Sequence, residues 1–144
     1  MHGGKNVKFK QFQFLKNEAI KKLTALEEEP LRLRKRTIEE CLSADAVMLA
    51  YIGDAVYSMY VRERVVQMNI TKVQILHTIV TEFICAKSQA KVLLEIENTL
   101  TEDEQAIARR ARNSNVNVPK SSTVQEYRSS TAFEAVLGFL DRKS

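Results

Sequence analysis

A chain of 144 residues is long enough for one domain built on one hydrophobic core. Four glycines and two prolines are too few for many strands joined by tight turns, no apolar run approaches the length of a membrane span, and the opening Met-His-Gly-Gly-Lys has no apolar signal core. The net charge of +4 is unevenly placed: residues 1–36 hold ten basic residues against four acids, +6, which leaves −2 for residues 37–144, so the basic balance belongs to an N-terminal arm and not to the main domain.

The expected class is all-α. Residues 5–29 place Phe12, Leu15, Ala19, Leu23 and Leu26 at steps of three and four, the period of an amphipathic helix, and Pro30 breaks it. The run from Arg32 to Arg36 reads either as a solvated surface patch or as an arm that grips RNA. Residues 1–42 are expected to form a basic extension, helical or partly disordered. Thr37 and Glu40 have the spacing of a helix-capping box. Residues 43–68 are the longest apolar stretch, with Val47, Ala50, Tyr57, Val61 and Val65 covering much of a helical circumference. That pattern predicts a central helix, with Asn69 as its stop.

Thr71 is expected to cap a short helix reaching Phe83, and a further helix runs from Ala86 to about Asn98. Thr101 and Glu104 repeat the capping spacing before a helix to about Ala111. Residues 113–122 are polar, carry Pro119 and lack helical period, which marks an internal loop. Thr123 and Glu126 open the last helix, through Leu140. Cys41 and Cys85 have no metal-ligand spacing and read as reduced, partly buried thiols of a cytoplasmic protein.

Two acids stand out. Asp54 lies in Ala-Tyr-Ile-Gly-Asp-Ala-Val-Tyr, inside the most apolar helix, where a carboxylate is costly unless it is paired or holds a metal. Gly53 before it costs about 1 kcal/mol of helix propensity relative to Ala, and two broken local rules together mark function or close packing. Glu134 likewise interrupts the apolar run Thr-Ala-Phe-Glu-Ala-Val-Leu-Gly, and Gly138, one turn on, lets a neighbouring helix approach closely. Two such acids on packed helices can share one Mg²⁺, which keeps several of its waters and supports phosphodiester hydrolysis. The plain alternative is an ion pair to an arginine, or an acid on a polar stripe. Spacing alone leaves both readings open.

The motifs narrow the choice. Ala50-Tyr-Ile-Gly-Asp-Ala55 and Thr131-Ala-Phe-Glu-Ala-Val-Leu-Gly138 resemble the two acidic motifs of the ribonuclease III family, in the family's order. Ala86-Lys-Ser-Gln-Ala90, Arg112-Asn113 and Tyr127-Arg-Ser-Ser-Thr-Ala-Phe-Glu-Ala135 extend the resemblance to the bacterial Mini-ribonuclease III group, over about residues 43–140. The resemblance implies a homodimeric all-α ribonuclease III fold for residues 43–144, without a double-stranded-RNA-binding domain. It also implies Mg²⁺-dependent cleavage of double-stranded RNA, in particular precursor large-subunit ribosomal RNA, with Asp54 and Glu134 as catalytic, metal-holding carboxylates.

Longer family members carry acids where this chain has Ala50 and Thr131, and another near Val47. The Mini group shares those losses, so Asp54 and Glu134 are the motif acids left. The family usually continues with another helix after Gly-Phe-Leu, so the domain is expected to be one helix short.

Candidate RNA contacts are Lys87, Arg109, Arg110, Arg112, Asn113, Lys120 and Arg128, around the 113–122 loop. Duplex RNA is read largely through shape, phosphates and 2′-hydroxyls, although basic residues at a helix end are also favoured by the helix dipole alone. Tyr51, Tyr57 and Tyr60 fit core or dimer-interface positions, and His77 an ordinary surface one. Two other function classes stay open: a non-catalytic RNA-binding or ribosome-associated scaffold of the same fold, and a helical dimer with no RNA role.

Overall fold

The computed structural model describes residues 3–24, 35–114 and 117–143. The expected break at Pro30, the arginines Arg32 and Arg34, and Asn115 of the loop lie outside the described residues. The chain divides into two compact units, residues 1–34 and 35–144.

The first unit contains helix α1, Gly3–Thr24. Phe9, Phe12, Leu15 and Leu23 are all exposed, and so are Val7 and Phe14 on the opposite side of the helix. The apolar period is present, but among the described residues of its own unit it covers nothing.

The second unit is helical among its described residues: α2 Ile38–Ser43, α3 Ala46–Val66, α4 Val73–Ile84, α5 Ala86–Ile96, a single 3₁₀ turn Glu97–Thr99, α6 Glu102–Arg112 and α7 Val124–Arg142. The segment ahead of α2 is clipped to the end of α7. The Arg36 N–H donates to the Arg142 carbonyl at 2.7 Å, and the Lys35 ammonium donates to the Asp141 carbonyl. With Cys41 of α2 fully buried in the main core, the unit begins at Lys35, upstream of the expected boundary at residue 43.

Threonines start three of the helices as their spacing predicts. The Oγ1 atoms of Thr37, Thr101 and Thr123 accept from the N–H groups of Glu40, Glu104 and Glu126 at 3.1, 3.2 and 3.0 Å. At Thr101 the box is complete, because its own N–H donates back to Glu104 Oε2 at 3.1 Å. Two starts differ from expectation. α3 begins at Ala46 because the Asp45 carboxylate accepts from Val47 N–H at 2.8 Å, and α4 is preceded by Lys72 with no side-chain cap, so Thr71 caps nothing. Asn69 takes the left-handed conformation, φ 56°, just past α3, as a helix-stopping Asn does.

The central helix is α7 and not, as the apolar count suggested, α3. α7 packs against α3, α5 and α6 and buries Ala132, Phe133, Ala135, Val136 and Phe139. α3 gives Leu49, Ala50 and Gly53 to that core, and Val61 and Val65 to a smaller cluster with Val80 of α4. Ile52, Val56 and Tyr57 are half-buried, whereas Val47, Met48, Tyr51, Met59, Tyr60 and Val66 are exposed.

Candidate active site

The site is set by the crossing of α3 and α7. A Cβ placed on Gly53 would stand 1.6 Å from the Glu134 carbonyl oxygen, and one on Gly138 would stand 1.8 Å from that of Leu49. The two backbones touch at both places, four residues apart on each helix, and only glycine permits that approach. One turn further along α3, the Tyr57 ring meets the Phe133 ring edge-on with centroids 5.0 Å apart. The sequence rule broken at Gly53 is therefore a packing requirement, and its result is that Asp54 and Glu134 flank the same backbone contact.

The two acids differ in environment. Asp54 is exposed, so the burial cost inferred from its apolar neighbours does not apply to it. Glu134 is half-buried, and its carboxyl is raised to about 7, first by burial, then by the negative charge of Asp54. The charges thus sense one another, and neither makes an ion pair among the described residues. No described arginine therefore forms a structural salt bridge with either acid. Among the described residues no cluster of three or more His, Cys, Asp or Glu side chains gathers for a metal, so the potential donor set is this pair of carboxylates.

Glu134 opens into a cavity of about 500 Å³ that is also lined by Lys87 and Gln89 of α5, Ser130 of α7, and Pro119, Ser121 and Ser122 of the loop. Asp54 is not among its lining residues. Gln89 is fully buried. Its amide lies close enough to Glu134 to pull that carboxyl's pKa back down somewhat, yet neither its Nε2 nor its Oε1 completes a hydrogen bond. Sequence reading took Lys87 from the Ala-Lys-Ser-Gln-Ala motif and passed over Gln89. The signal was there: Gln89 stands four residues before Leu93, on the face α5 buries. Cys85, at the rim, is exposed and free, and its thiol pKa is lowered chiefly by the hydrogen bond to Ser88. Cys41 is also free, and buried.

The remaining RNA candidates scatter. Arg110 donates to the carbonyls of Leu42 and of Ala44, the latter at 2.7 Å, and so straps the α2–α3 connection. Arg112 pairs with Glu97 at 3.4 Å. Arg109, Asn113, Lys120 and Arg128 are exposed, with Asn113 as the cap residue ending α6. Lys87 is the one basic candidate that reaches the Glu134 cavity, and it also lines a neighbouring cavity with Lys91 and Arg112. His77 is exposed in a groove with Arg62 and Val73, apart from the acids.

Comparison with known proteins bears on the family and the fold. The Ribonuclease III domain model matches residues 47–141. A Mini-ribonuclease 3 of a Thermoanaerobacter species is 44% identical over 105 residues, 72% of this chain and 74% of that relative. That of Streptococcus pneumoniae is 43% identical over 99 residues, 67% and 77% of the two chains. A crystal structure of a Fusobacterium nucleatum protein superposes with a TM-score of 0.66 at 33% identity, covering 69% of this chain and 81% of the other. The motif resemblance, the helical architecture and these matches agree, and the chain belongs to the ribonuclease III domain family, in its Mini-ribonuclease 3 group.

Proposed function

We propose that the protein is a Mg²⁺-dependent endoribonuclease that cleaves double-stranded RNA, with Asp54 and Glu134 as its metal-holding catalytic carboxylates. The nuclease class follows from family membership. The observation that carries the metal reading is two mutually repelling carboxylates with no cation partner among the described residues. A like-charge pair beside an accessible cavity is relieved by a bound cation, and a hard divalent ion with oxygen ligands and retained waters suits two carboxylates. When bound, such an ion supplies charge compensation for the scissile phosphate and acidifies nearby water.

The chain's own residues complete the scheme. Lys87 reaches into the Glu134 cavity from α5 and offers a positive charge to a phosphate there. Ser121 and Ser122 offer hydroxyls from the loop, and Asn113, Lys120, Arg128 and Arg109 contact the duplex backbone around it. Arg110 and Arg112 serve the RNA face indirectly, because their guanidinium groups already hold Leu42, Ala44 and Glu97.

The working form is a homodimer joined through the exposed apolar side of α3, where Met48 and Tyr51 are 55% and 80% exposed. An apolar face of that kind marks an interaction surface, and a dimer brings two sites to the two strands of one duplex. The physiological substrate proposed is precursor large-subunit ribosomal RNA, in the cytoplasm. Free thiols at Cys41 and Cys85 fit that compartment.

The test is cleavage of a duplex RNA with and without Mg²⁺, comparing wild type with Asp54→Asn and Glu134→Gln. Both variants should bind the duplex and leave it uncut. Substantial cleavage by either would remove the carboxylates from the mechanism. Duplex binding by wild type without any Mg²⁺-dependent product would identify a non-catalytic scaffold instead.

A further inference from the structure

Gln89 is among the largest side chains that are fully buried, and it is polar. Both of its amide atoms lie out of reach of solvent, and both lack a hydrogen-bond partner. Buried polar atoms are paired in nearly every folded protein, and an orphan that persists calls for a reason. Other buried polar side chains of the unit meet the rule: the Ser130 and Thr131 hydroxyls donate to the Tyr127 carbonyl at 2.7 and 3.0 Å. A leucine or methionine at position 89 would pack between α5 and α7 with no unmet polar atom. The amide is instead kept where it lines the same cavity as Glu134.

We propose that Gln89 is a positioning residue of the metal centre, whose Nε2–H donates to the Glu134 carboxylate. This rests on the reading of Asp54 and Glu134 as metal ligands. A metal-holding side chain is oriented by the partner on its other side, and removing such a partner typically weakens metal binding by about tenfold to a hundredfold. The orphaned amide is thus explained as a partner prepared for the ionised, metal-loaded form of Glu134. With one carboxylate exposed and the other half-buried, an outer hydrogen bond is the means available to fix the buried one.

The experiment titrates Mn²⁺ alone, by paramagnetic resonance, into full-length wild type, Gln89→Met, Gln89→Asn and Glu134→Gln, and follows thermal unfolding of each in chelator. Gln89→Met keeps the volume and removes both polar atoms. Gln89→Asn keeps the amide but withdraws it by one methylene. The expected result is that both weaken Mn²⁺ binding tenfold or more, and that Gln89→Met unfolds in chelator at or above the wild-type temperature. Mn²⁺ affinity within twofold of wild type in either folded variant overturns the proposal. So does a large loss of stability in metal-free Gln89→Met, which would make Gln89 a structural residue. The Glu134→Gln arm separates the two readings: if it binds Mn²⁺ like wild type, the metal site itself has been misassigned, whereas its loss beside an unaffected Gln89→Met removes only the role of Gln89.

Discussion

A carboxyl group with a pKa near 7 is neutral about half the time at neutral pH, and Glu134 is such a group. Its folded-state value lies above the unfolded one because burial and Asp54 both disfavour its charge. Between about pH 4.5 and pH 7 the unfolded chain has released this proton while the folded chain retains it. Stability of the metal-free protein therefore falls as pH rises through that window and levels off above it. Glu134→Gln, always neutral, removes the slope. In chelator it should be more stable than wild type at pH 8, by about 1–2 kcal/mol after partial screening by solvent, with no gain at pH 4; urea titrations at the two pH values read this directly. Metal binding at the proposed site would have the opposite dependence, because a carboxylate ligand must be ionised. Mg²⁺-supported cleavage should accordingly fall as pH drops, more steeply at low Mg²⁺ than at saturating Mg²⁺. Single residues were unevenly legible in the sequence. Glu134 is the partly buried acid its apolar neighbours predicted, whereas Asp54 sits among equally apolar neighbours and faces solvent. A pattern of types along a helix does not tell which apolar side chains are themselves exposed.

Helix α3 meets α7 through glycine, and this contact fixes where the two acids stand. Gly53→Ala should gain helix propensity of about 1 kcal/mol and lose more, because the new methyl would fall 1.6 Å from a backbone carbonyl that cannot rotate aside. The helices must separate, for a net loss of about 2–3 kcal/mol in chemical denaturation. Cleavage should fall in the molecules that remain folded, since Asp54 moves with α3. Gly138→Ala, 1.8 Å from the Leu49 carbonyl, should behave alike. Thr101→Ala provides the contrast. It breaks the complete capping box at the start of α6, costs about 1 kcal/mol and leaves turnover unchanged, because none of the residues bonded to Thr101 lies in the Glu134 cavity.

At this scale the sequence was most readable where the signal was local. A threonine three residues ahead of a glutamate reported its helix start three times. The choice of central helix was not local. α7 is central because Ala132, Ala135 and Gly138 let three helices close on it, while α3, richer in large apolar residues, leaves part of them uncovered.

For the whole molecule, charge and fold divide at the same place. Residues 1–34 carry eight basic residues against four acids, and residues 35–144 carry fourteen of each, so the catalytic unit is neutral overall and the +4 resides in the first unit. With Lys87, Lys120 and Arg128 as the proposed contacts, a neutral unit would orient a duplex locally and draw little on long-range attraction. If the α1 lysines touch phosphates, each contact adds about 0.9 to the steepness with which log affinity falls against log salt. A fragment of residues 35–144 contains its own core, caps and candidate site. It should melt cooperatively and bind Mn²⁺ as the full chain does. It should also cut duplex RNA at low salt, with affinity that declines more gently as salt rises than that of the full chain, by about two to four units of slope if two to four phosphates are released. Filter binding of one duplex across a salt series measures this. Equal slopes would mean that α1 makes no phosphate contact, and its exposed Phe9, Phe12 and Leu15 would then be the part of the arm that needs a partner.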